Sequence, residues 1–184
     1  MVHQFRNGST LAFINYGTGT CLDLTASDPK SGTPVIGYRY NGTSNQHWKL
    51  VKVDYAGAKV FPVYWLINQA TGTALDLLNA SKENGTQING WTTGDGKPNP
   101  TQLWRLVTTN ANGAVVMIQN VGSGTFVDLY LGNAADRTKI TGWAGNIAEE
   151  NPHQLWRVKV ISQDDTNDTR DESDDNSAKK KGSK

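Results

Sequence analysis

Short stretches in which apolar and polar residues alternate recur three times along the chain. The clearest is an aspartate between two aliphatic residues, with copies at Leu22-Asp23-Leu24, Leu75-Asp76-Leu77 and Val127-Asp128-Leu129. Alternation is the period of a β-strand, whose pleat sends neighbouring side chains to opposite faces. Each copy therefore predicts a half-buried strand, with its aliphatic residues in the core and its aspartate on the outer face.

Two further motifs keep register with the aspartates, which are 53 and 52 residues apart. Fourteen residues after each aspartate stands a glycine followed by an aromatic residue: Gly37-Tyr38, Gly90-Trp91 and Gly142-Trp143. Each copy closes on a Gln-x-Trp segment: Gln46-His47-Trp48, Gln102-Leu103-Trp104 and Gln154-Leu155-Trp156. Three motifs in register indicate an internal threefold repeat, with copies at about residues 9–53, 62–108 and 115–162.

The repeats predict an all-β fold. No stretch has a sustained helical period, and each repeat contains about four short apolar runs separated by turn signals such as Asn41-Gly42. One four-stranded unit cannot bury both of its faces, so three units must share a core. We therefore predict a β-trefoil over residues 1–162, with three repeats of about four strands in pseudo-threefold symmetry. A β-propeller is the main competing fold, but three blades are too few to close one.

The composition changes after Ser162. Seven acidic residues lie between positions 164 and 175, and the chain ends on a lysine-rich stretch at 179–184. A segment of this kind lacks the apolar surface needed to order itself. Residues 163–184 are therefore predicted to be a disordered charged tail.

Charge and composition argue against several classes of function. A formal net charge of +1 gives no field that favours nucleic acid, and no apolar run is long enough for membrane insertion. The N-terminal stretch lacks the apolar segment of a signal peptide, and Cys21 is the only cysteine, so a cytoplasmic location is expected. The histidines show no metal-ligand spacing and there is no nucleotide-binding motif, so no cofactor is expected.

A pair of carboxylates, as in a glycosidase, is the one catalytic arrangement for which the sequence offers candidates. The candidates are Glu149-Glu150 and Asp136. They fall in predicted loops without the apolar surroundings that raise the pKa of a carboxyl group. We therefore expect no enzymatic activity.

With these three motifs in register, residues 9–162 resemble the ricin-B-type lectins, and most of all the short cytoplasmic members found in mushrooms. The resemblance implies that the Gln-x-Trp tryptophan lies in the core and that its glutamine braces the repeat. It also implies that the aspartate accepts hydrogen bonds from galactose-type hydroxyls, that the aromatic residue stacks on the sugar, and that a nearby asparagine completes the site. These roles suit the side chains, since a carboxylate is a directional charged acceptor, a ring covers an apolar sugar face, and an amide both donates and accepts.

The three copies give three candidate carbohydrate sites of unequal completeness. Site one is preferred because only there does an asparagine directly precede the Gln-x-Trp glutamine, although apolar Ile36 stands thirteen residues after its aspartate. Asn99 and Asn151 in the longer loops of the other copies either replace that asparagine or only shape a turn. The candidates are Asp23, Tyr38, Asn41, Asn45 and Gln46 in site one; Asp76, Asn89, Trp91 and Gln102 in site two; and Asp128, Thr141, Trp143, Asn146 and Gln154 in site three.

The resemblance implies a lectin for terminal galactose or N-acetylgalactosamine on glycoproteins and glycolipids, with a defensive role. The threefold repeat makes such a lectin multivalent, and a homodimer is a further means of linking sites, since twofold dimers are the commonest soluble oligomers. The alternative is a β-trefoil that binds protein through its loops, as protease inhibitors of this fold do. Fold alone decides nothing between them. The repeated aspartate–aromatic pair favours the lectin, since an inhibitor would not need it.

Overall fold

The computed structural model describes residues 5–55, 61–109 and 114–163. Beyond Gln163, the tail predicted to be disordered lies outside these ranges. No helix within them has the length and apolar character needed to cross a membrane.

Each repeat contributes four β-strands to the described part of the chain, as the sequence predicts. The first repeat has β1 (Thr10–Asn15), β2 (Thr20–Leu24), β3 (Thr33–Arg39) and β4 (Trp48–Val53). The second has β5 (Val63–Asn68), β6 (Ala74–Leu77), β7 (Thr86–Trp91) and β8 (Trp104–Thr108). The third has β9 (Val115–Asn120), β10 (Phe126–Leu129), β11 (Thr138–Trp143) and β12 (Trp156–Ser162). One-turn 3-10 segments follow β2, β6 and β10 at Thr25–Ser27, Leu78–Ala80 and Tyr130–Gly132, and two others precede β4 and β8 at Ser44–Gln46 and Pro100–Gln102.

Six of the strands form a closed antiparallel barrel. The pairing runs β1–β4–β5–β8–β9–β12 and returns to β1. The other six strands form the hairpins β2–β3, β6–β7 and β10–β11, whose second strands pair with one another in a triangle. A six-stranded barrel joined to three hairpins in threefold arrangement is a β-trefoil, which confirms the predicted fold.

The three Gln-x-Trp tryptophans occupy equivalent places in the core. All three are fully buried. Each indole N–H donates to the carbonyl of the residue before the aspartate in its own repeat: Trp48 to Leu22 at 3.1 Å, Trp104 to Leu75 at 2.9 Å and Trp156 to Val127 at 3.0 Å. A buried indole N–H needs a partner, so this bond fixes the last strand of each repeat against its second strand. The predicted core position of the tryptophans is confirmed.

The glycines of the Gly-aromatic pairs are required by packing between repeats. A Cβ atom at Gly90 would lie 2.7 Å from Cδ1 of Leu24, which belongs to the first repeat. The equivalent pairs are Gly37 with Leu129 and Gly142 with Leu77, each at 2.6 Å. The leucine after each aspartate therefore fits directly against a glycine of another repeat, and any larger residue would separate the hairpins.

Three asparagines, which the sequence analysis did not single out, also join the repeats. Asn15, Asn68 and Asn120 end the first strand of each repeat and are almost fully buried. Nδ2 of Asn120 donates to the carbonyls of Pro100, Thr101 and Leu103, at 3.2, 2.9 and 3.3 Å. Its Oδ1 accepts from the backbone N–H groups of residues 122 and 123, at 3.1 and 3.0 Å.

The other two asparagines make the equivalent links around the threefold axis. Asn15 donates to carbonyls at 152, 153 and 155, and Asn68 donates to the carbonyl of Asn45 at 2.9 Å. Each asparagine thus attaches its own β-turn to the Gln-x-Trp segment of the preceding repeat, and the third link closes the ring.

We expect Asn120→Ala to lower the free energy of unfolding by about 2–4 kcal/mol, because it leaves several buried backbone groups without partners. Urea unfolding followed by tryptophan fluorescence measures the change. Gln119→Ala is the matched control: among the described residues, the side chain of the neighbouring Gln119 bonds to the carbonyl of Gly124 at 3.1 Å in an exposed setting. The loss of this bond should cost well under about 1 kcal/mol. Equal effects of the two substitutions would contradict the linking role of Asn120.

Candidate functional site

Each hairpin brings its aspartate and its aromatic residue to the same face. In the first hairpin Asp23 lies opposite Ile36 and Cys21 lies opposite Tyr38. Residues two apart on a strand share a face, so Asp23 and Tyr38 are diagonal neighbours. The same register relates Asp76 to Trp91 and Asp128 to Trp143. The structure therefore brings together the two residue types that the sequence motif pairs in all three copies.

The aspartates are buried, contrary to the expected outer face of a half-buried strand. The exposed fractions of Asp23, Asp76 and Asp128 are 4%, 6% and 3%, and every residue of β2, β6 and β10 is buried. The half-buried prediction is wrong for these strands because the Gln-x-Trp segment of the same repeat covers their outer face.

In the first and third repeats the Gln-x-Trp glutamine holds the buried carboxylate in place, as expected from the resemblance. Nε2 of Gln46 donates to Oδ2 of Asp23 at 2.9 Å, and Nε2 of Gln154 donates to Oδ2 of Asp128 at 3.0 Å. Gln102 lines the same groove as Asp76, beside that carboxylate. The same amides donate to the carbonyls of Arg39, Thr92 and Ala144, at 2.9, 3.0 and 3.1 Å. Asp23 and Asp128 are thereby joined to the backbone that follows Tyr38 and Trp143.

Burial changes the acidity of all three carboxyl groups. Desolvation raises the pKa of Asp23 to about 6, although the hydrogen bonds from Gln46 and Asn45 act in the opposite direction. Burial also raises the pKa of Asp76 and of Asp128 above the ordinary value. Above its pKa of about 6, Asp23 is a charged acceptor held in place by the protein, and keeping that charge buried costs desolvation free energy.

At site one, other groups of the protein already provide most of the hydrogen-bond partners of the candidate side chains. Nδ2 of Asn45 donates to Oδ1 of Asp23 at 2.9 Å and to the carbonyl of Leu24 at 3.0 Å. Oδ1 of Asn41 accepts from the backbone N–H and the hydroxyl of Thr43, at 3.0 and 2.6 Å. Both oxygens of Asp23 thus already have donors, and Asn41 shapes its own turn.

The ring of Tyr38 lies beside an ion pair that joins two repeats. The guanidinium of Arg39 is 5.9 Å from the centre of this ring and is bound to Asp136 of the third repeat, with Nε to Oδ2 at 2.7 Å. Site one therefore has a charged pair next to its aromatic residue.

Site two opens into a groove with a volume of about 560 Å³. Asp76, Trp91 and Gln102 line it together with the loop 92–101. Trp91 is 39% exposed, so its ring is accessible. Asn89 lies directly opposite Asp76 but is 4% exposed and does not line the cavity.

Thr101 replaces the asparagine of site one, which the sequence analysis did not anticipate. Its hydroxyl donates to Oδ2 of Asp76 at 2.8 Å. Oδ1 of Asn99 accepts from the backbone N–H of Thr101 at 3.2 Å, and Oδ1 of Asn151 accepts from that of His153 at 3.0 Å. Of the two roles considered for these asparagines, the structure shows turn formation.

Site three differs from the other two in having buried polar atoms without partners and a second aromatic ring. Thr141 lies opposite Asp128 and is 1% exposed, and its hydroxyl and Oε1 of Gln154 have no hydrogen-bond partner among the described residues. The rings of Tyr130 and Trp143 are 6.2 Å apart. The exposed Asn146 accepts from the backbone N–H of Ala148 at 3.0 Å, so it belongs to the loop rather than to the buried cluster.

A left-handed turn beside each aspartate is a feature that sequence reasoning missed. Ala26, Asn79 and Leu131 stand three residues after the aspartates with φ angles of 53°, 55° and 54°. Non-glycine residues in this region are strained, and such strain is concentrated at functional sites. The signal available in the sequence was weak, since only Asn79 is a residue type that favours this conformation.

No group of three or more metal-ligating side chains occurs within residues 5–55, 61–109 and 114–163. The candidate sites are therefore built of hydrogen-bonding groups and aromatic rings alone in this part of the chain. Such a surface can bind a polar ligand that has an apolar face, and the carbohydrate-binding role of the individual residues stays a prediction.

Comparison with known proteins places this geometry in context. A family model described as "Ricin-type beta-trefoil lectin domain-like" matches residues 3–91 and 100–171. No curated protein sequence matches the chain.

Solved structures agree with the fold. The designed threefold-symmetric protein ThreeFoil is 25% identical with a TM-score of 0.69, over 81% of this chain and 96% of its own. The Macrolepiota procera ricin B-like lectin, solved with lactose, is 24% identical with a TM-score of 0.65, over 84% and 97%. The Polyporus squamosus lectin, bound to a human-type influenza-binding epitope, is 26% identical with a TM-score of 0.67, over 87% of this chain and 51% of its own.

The raised pKa of Asp23 predicts a pH-dependent contribution to stability. Native Asp23 keeps its proton up to about pH 6, whereas an unfolded aspartate loses it near about pH 4. The native state binds more protons between these values, so this group's contribution to the free energy of unfolding falls as the pH rises. Relative to Asp23→Asn, we expect the wild type to lose about 2 kcal/mol between about pH 4 and about pH 7, measured by urea unfolding at several pH values.

Asp136→Asn provides a control of opposite sign. Hydrogen bonding to Arg39 lowers the pKa of Asp136, so the wild type should gain stability over this variant as the pH rises. A difference between wild type and Asp23→Asn that does not vary with pH would show that the native carboxyl titrates like an unfolded one.

Proposed function

The chain belongs to the ricin-type β-trefoil lectin domain-like family, and from this we propose that it is a lectin that binds glycans without catalysing a reaction on them. One observation carries the proposal. All three hairpins present a buried carboxylate that accepts a hydrogen bond from the Gln-x-Trp glutamine or from the residue just before it, with an aromatic residue on the same face. The tryptophans and glycines of the motif have structural roles in the core, but a buried charge repeated three times is costly and needs another reason.

The chemistry of a sugar suits this arrangement. A pyranose has hydroxyl groups on its edge and a patch of C–H groups on one face. A carboxylate that is already fixed can accept from two hydroxyls without losing side-chain freedom on binding. The neighbouring ring then covers the C–H patch.

Terminal galactose and N-acetylgalactosamine are the residues that we propose for this family member. The axial 4-hydroxyl of galactose leaves the opposite ring face apolar, which suits stacking on Trp91 or its equivalents. The Macrolepiota procera lectin was solved with lactose, and the epitope bound by the Polyporus squamosus lectin contains galactose. Both ligands were seen in those two proteins, and they support the proposal by family alone.

The biological setting is part of the same proposal. We infer a defensive lectin that is kept in the cytoplasm of the producer. It acts when an animal feeds on the producer and the lectin meets that animal's glycoproteins or glycolipids. Its lone cysteine, Cys21, is free and fully buried, so the described fold needs no oxidising compartment. Binding to a protein through the loops is the alternative, and the buried aspartates give it no support.

Single replacements of the three aspartates test the proposal and count the active sites. Asp23→Ala, Asp76→Ala and Asp128→Ala each remove a charged acceptor, which is worth about 1.5–3 kcal/mol, or a tenfold to hundredfold loss of affinity at that site. Calorimetric titration with a galactoside measures the change. Far-UV circular dichroism checks that each variant is folded. If all three variants bind galactosides as the wild type does, the aspartates are not the sugar acceptors.

Multivalency predicts a difference between free sugar and glycan-coated surfaces. A shallow site with few hydrogen bonds should bind a monosaccharide with a dissociation constant near about 1 mM, or about −4 kcal/mol. Linked sites, on one chain or in a homodimer, raise avidity by about 10²–10⁴-fold. We expect agglutination of glycan-coated beads together with weak binding of free galactose. A monomer with one responsive aspartate that still agglutinated beads would contradict this account.

A further inference from the structure

The cavity at site two is larger than a single sugar requires. It has a volume of about 560 Å³, whereas a cavity of about 150 Å³ holds a six-membered ring such as benzene. A groove of this size is within the range of sites for ligands of several rings, about 300–1,000 Å³. Space for about three sugar rings is therefore available.

Two walls give the groove its length. One is the left-handed turn after β6, with Leu78 and Asn79, and the other is the loop from Thr92 to Thr101. This loop has ten residues between the aromatic residue and the glutamine, whereas the equivalent loop of the first repeat has seven. Asp76 and Trp91 lie between the two walls, so a sugar bound there has room beside it.

Apolar surface is available at two places in the groove. Trp91 is 39% exposed and Leu78, on the turn, is 40% exposed. Polar groups of Asn79 and Thr93 lie along the same lining. Alternation of apolar and hydrogen-bonding surface matches a chain of pyranose rings, each of which has an apolar face and a polar edge.

The charges in the groove disfavour an acidic ligand. Lys97 is the only cation in the lining, and its Nζ is 2.8 Å from Oδ2 of Asp95, which also lines the groove. With Asp76 ionised, the lining carries two negative charges and one positive charge. A carboxylated or sulfated sugar would meet net repulsion here.

We propose that the site-two groove binds a neutral oligosaccharide of about three residues, with one residue held at Asp76 and Trp91 and the others between the turn at Leu78-Asn79 and the 92–101 loop. The inference rests on the proposed lectin function. It adds the length and the charge class of the ligand at this site.

The test measures affinity against chain length at site two. The indole N–H signal of Trp91 in ¹⁵N-labelled protein reports occupancy of this site in the wild type, whatever happens at the others. The ligands are galactose and β-linked galactobiose, galactotriose and galactotetraose, plus galactotriose that ends in a carboxylated sugar. We expect affinity to rise about tenfold from galactose to galactotriose through two or three added hydrogen bonds, then to level off, and to fall for the acidic ligand.

A variant that removes one wall of the groove is made by giving the second repeat the turn residues of the first repeat. Leu78→Thr with Asn79→Ala reproduces Thr25 and Ala26, whose left-handed φ of 53° shows that alanine is tolerated there. The ratio of galactotriose to galactose affinity should fall close to one. Lys52→Ala, an exposed change on β4 away from the groove, should leave the ratio as in the wild type, and Asp76→Ala should weaken both ligands.

The outcomes separate this inference from the proposed function. Binding of galactose and galactotriose with equal affinity at Trp91 would overturn the groove inference and leave the lectin proposal intact. Tighter binding of the acidic trisaccharide would overturn the charge class. A Trp91 signal that no ligand moves would exclude site two, and absence of binding by calorimetry as well would overturn the lectin proposal itself.

Discussion

The fold depends on a contact between a leucine of one repeat and a glycine of another. The leucine after each aspartate reaches within 2.6–2.7 Å of where a glycine Cβ would be, so the three hairpins meet with no spare space. Because each repeat supplies one leucine and one glycine, none is complete alone. The asparagines at 15, 68 and 120 repeat this dependence in polar form, since each donates to the preceding repeat. Barrel closure and the shared core both follow from these links.

The same packing fixes the position of the buried carboxylate. An aspartate between two core aliphatic residues has no freedom to leave its strand, and the glutamine beside the core tryptophan donates to it. The protein therefore accepts the desolvation that raises the pKa of Asp23 to about 6. In return the acceptor is rigid, and a rigid acceptor loses little entropy when a ligand arrives. Burial of the Asp23 carboxylate therefore lowers the stability of the protein and pre-organises the same group as an acceptor.

The repeating motifs made the fold predictable, because the same core contacts are made three times and each requires the same residue types in each repeat. From these motifs the sequence predicts the core position of the Gln-x-Trp tryptophans, the register of the Gly-aromatic pairs and the twelve strands. The burial of Asp23 was not predictable from alternation, because the covering side chains come from a segment twenty-two residues away. Thr101 was missed for a similar reason: a hydroxyl can replace an amide donor, and the sequence alone does not show which side chain reaches Asp76. The turn at Ala26 has no sequence signal at all.

A symmetric scaffold does not require symmetric sites, because the links that hold it together lie beneath the ligand-facing surface. Leucine, glycine, asparagine, tryptophan and glutamine are the same in all three repeats. The residues above them differ freely: an Arg39–Asp136 pair beside Tyr38, a wide groove beside Trp91, and a second ring beside Trp143. The loops 39–45, 92–101 and 144–153 contain none of the leucines and glycines of these contacts, and they join the asparagine links through backbone carbonyls rather than side chains. Each surface can therefore diverge toward its own ligand at little cost to folding.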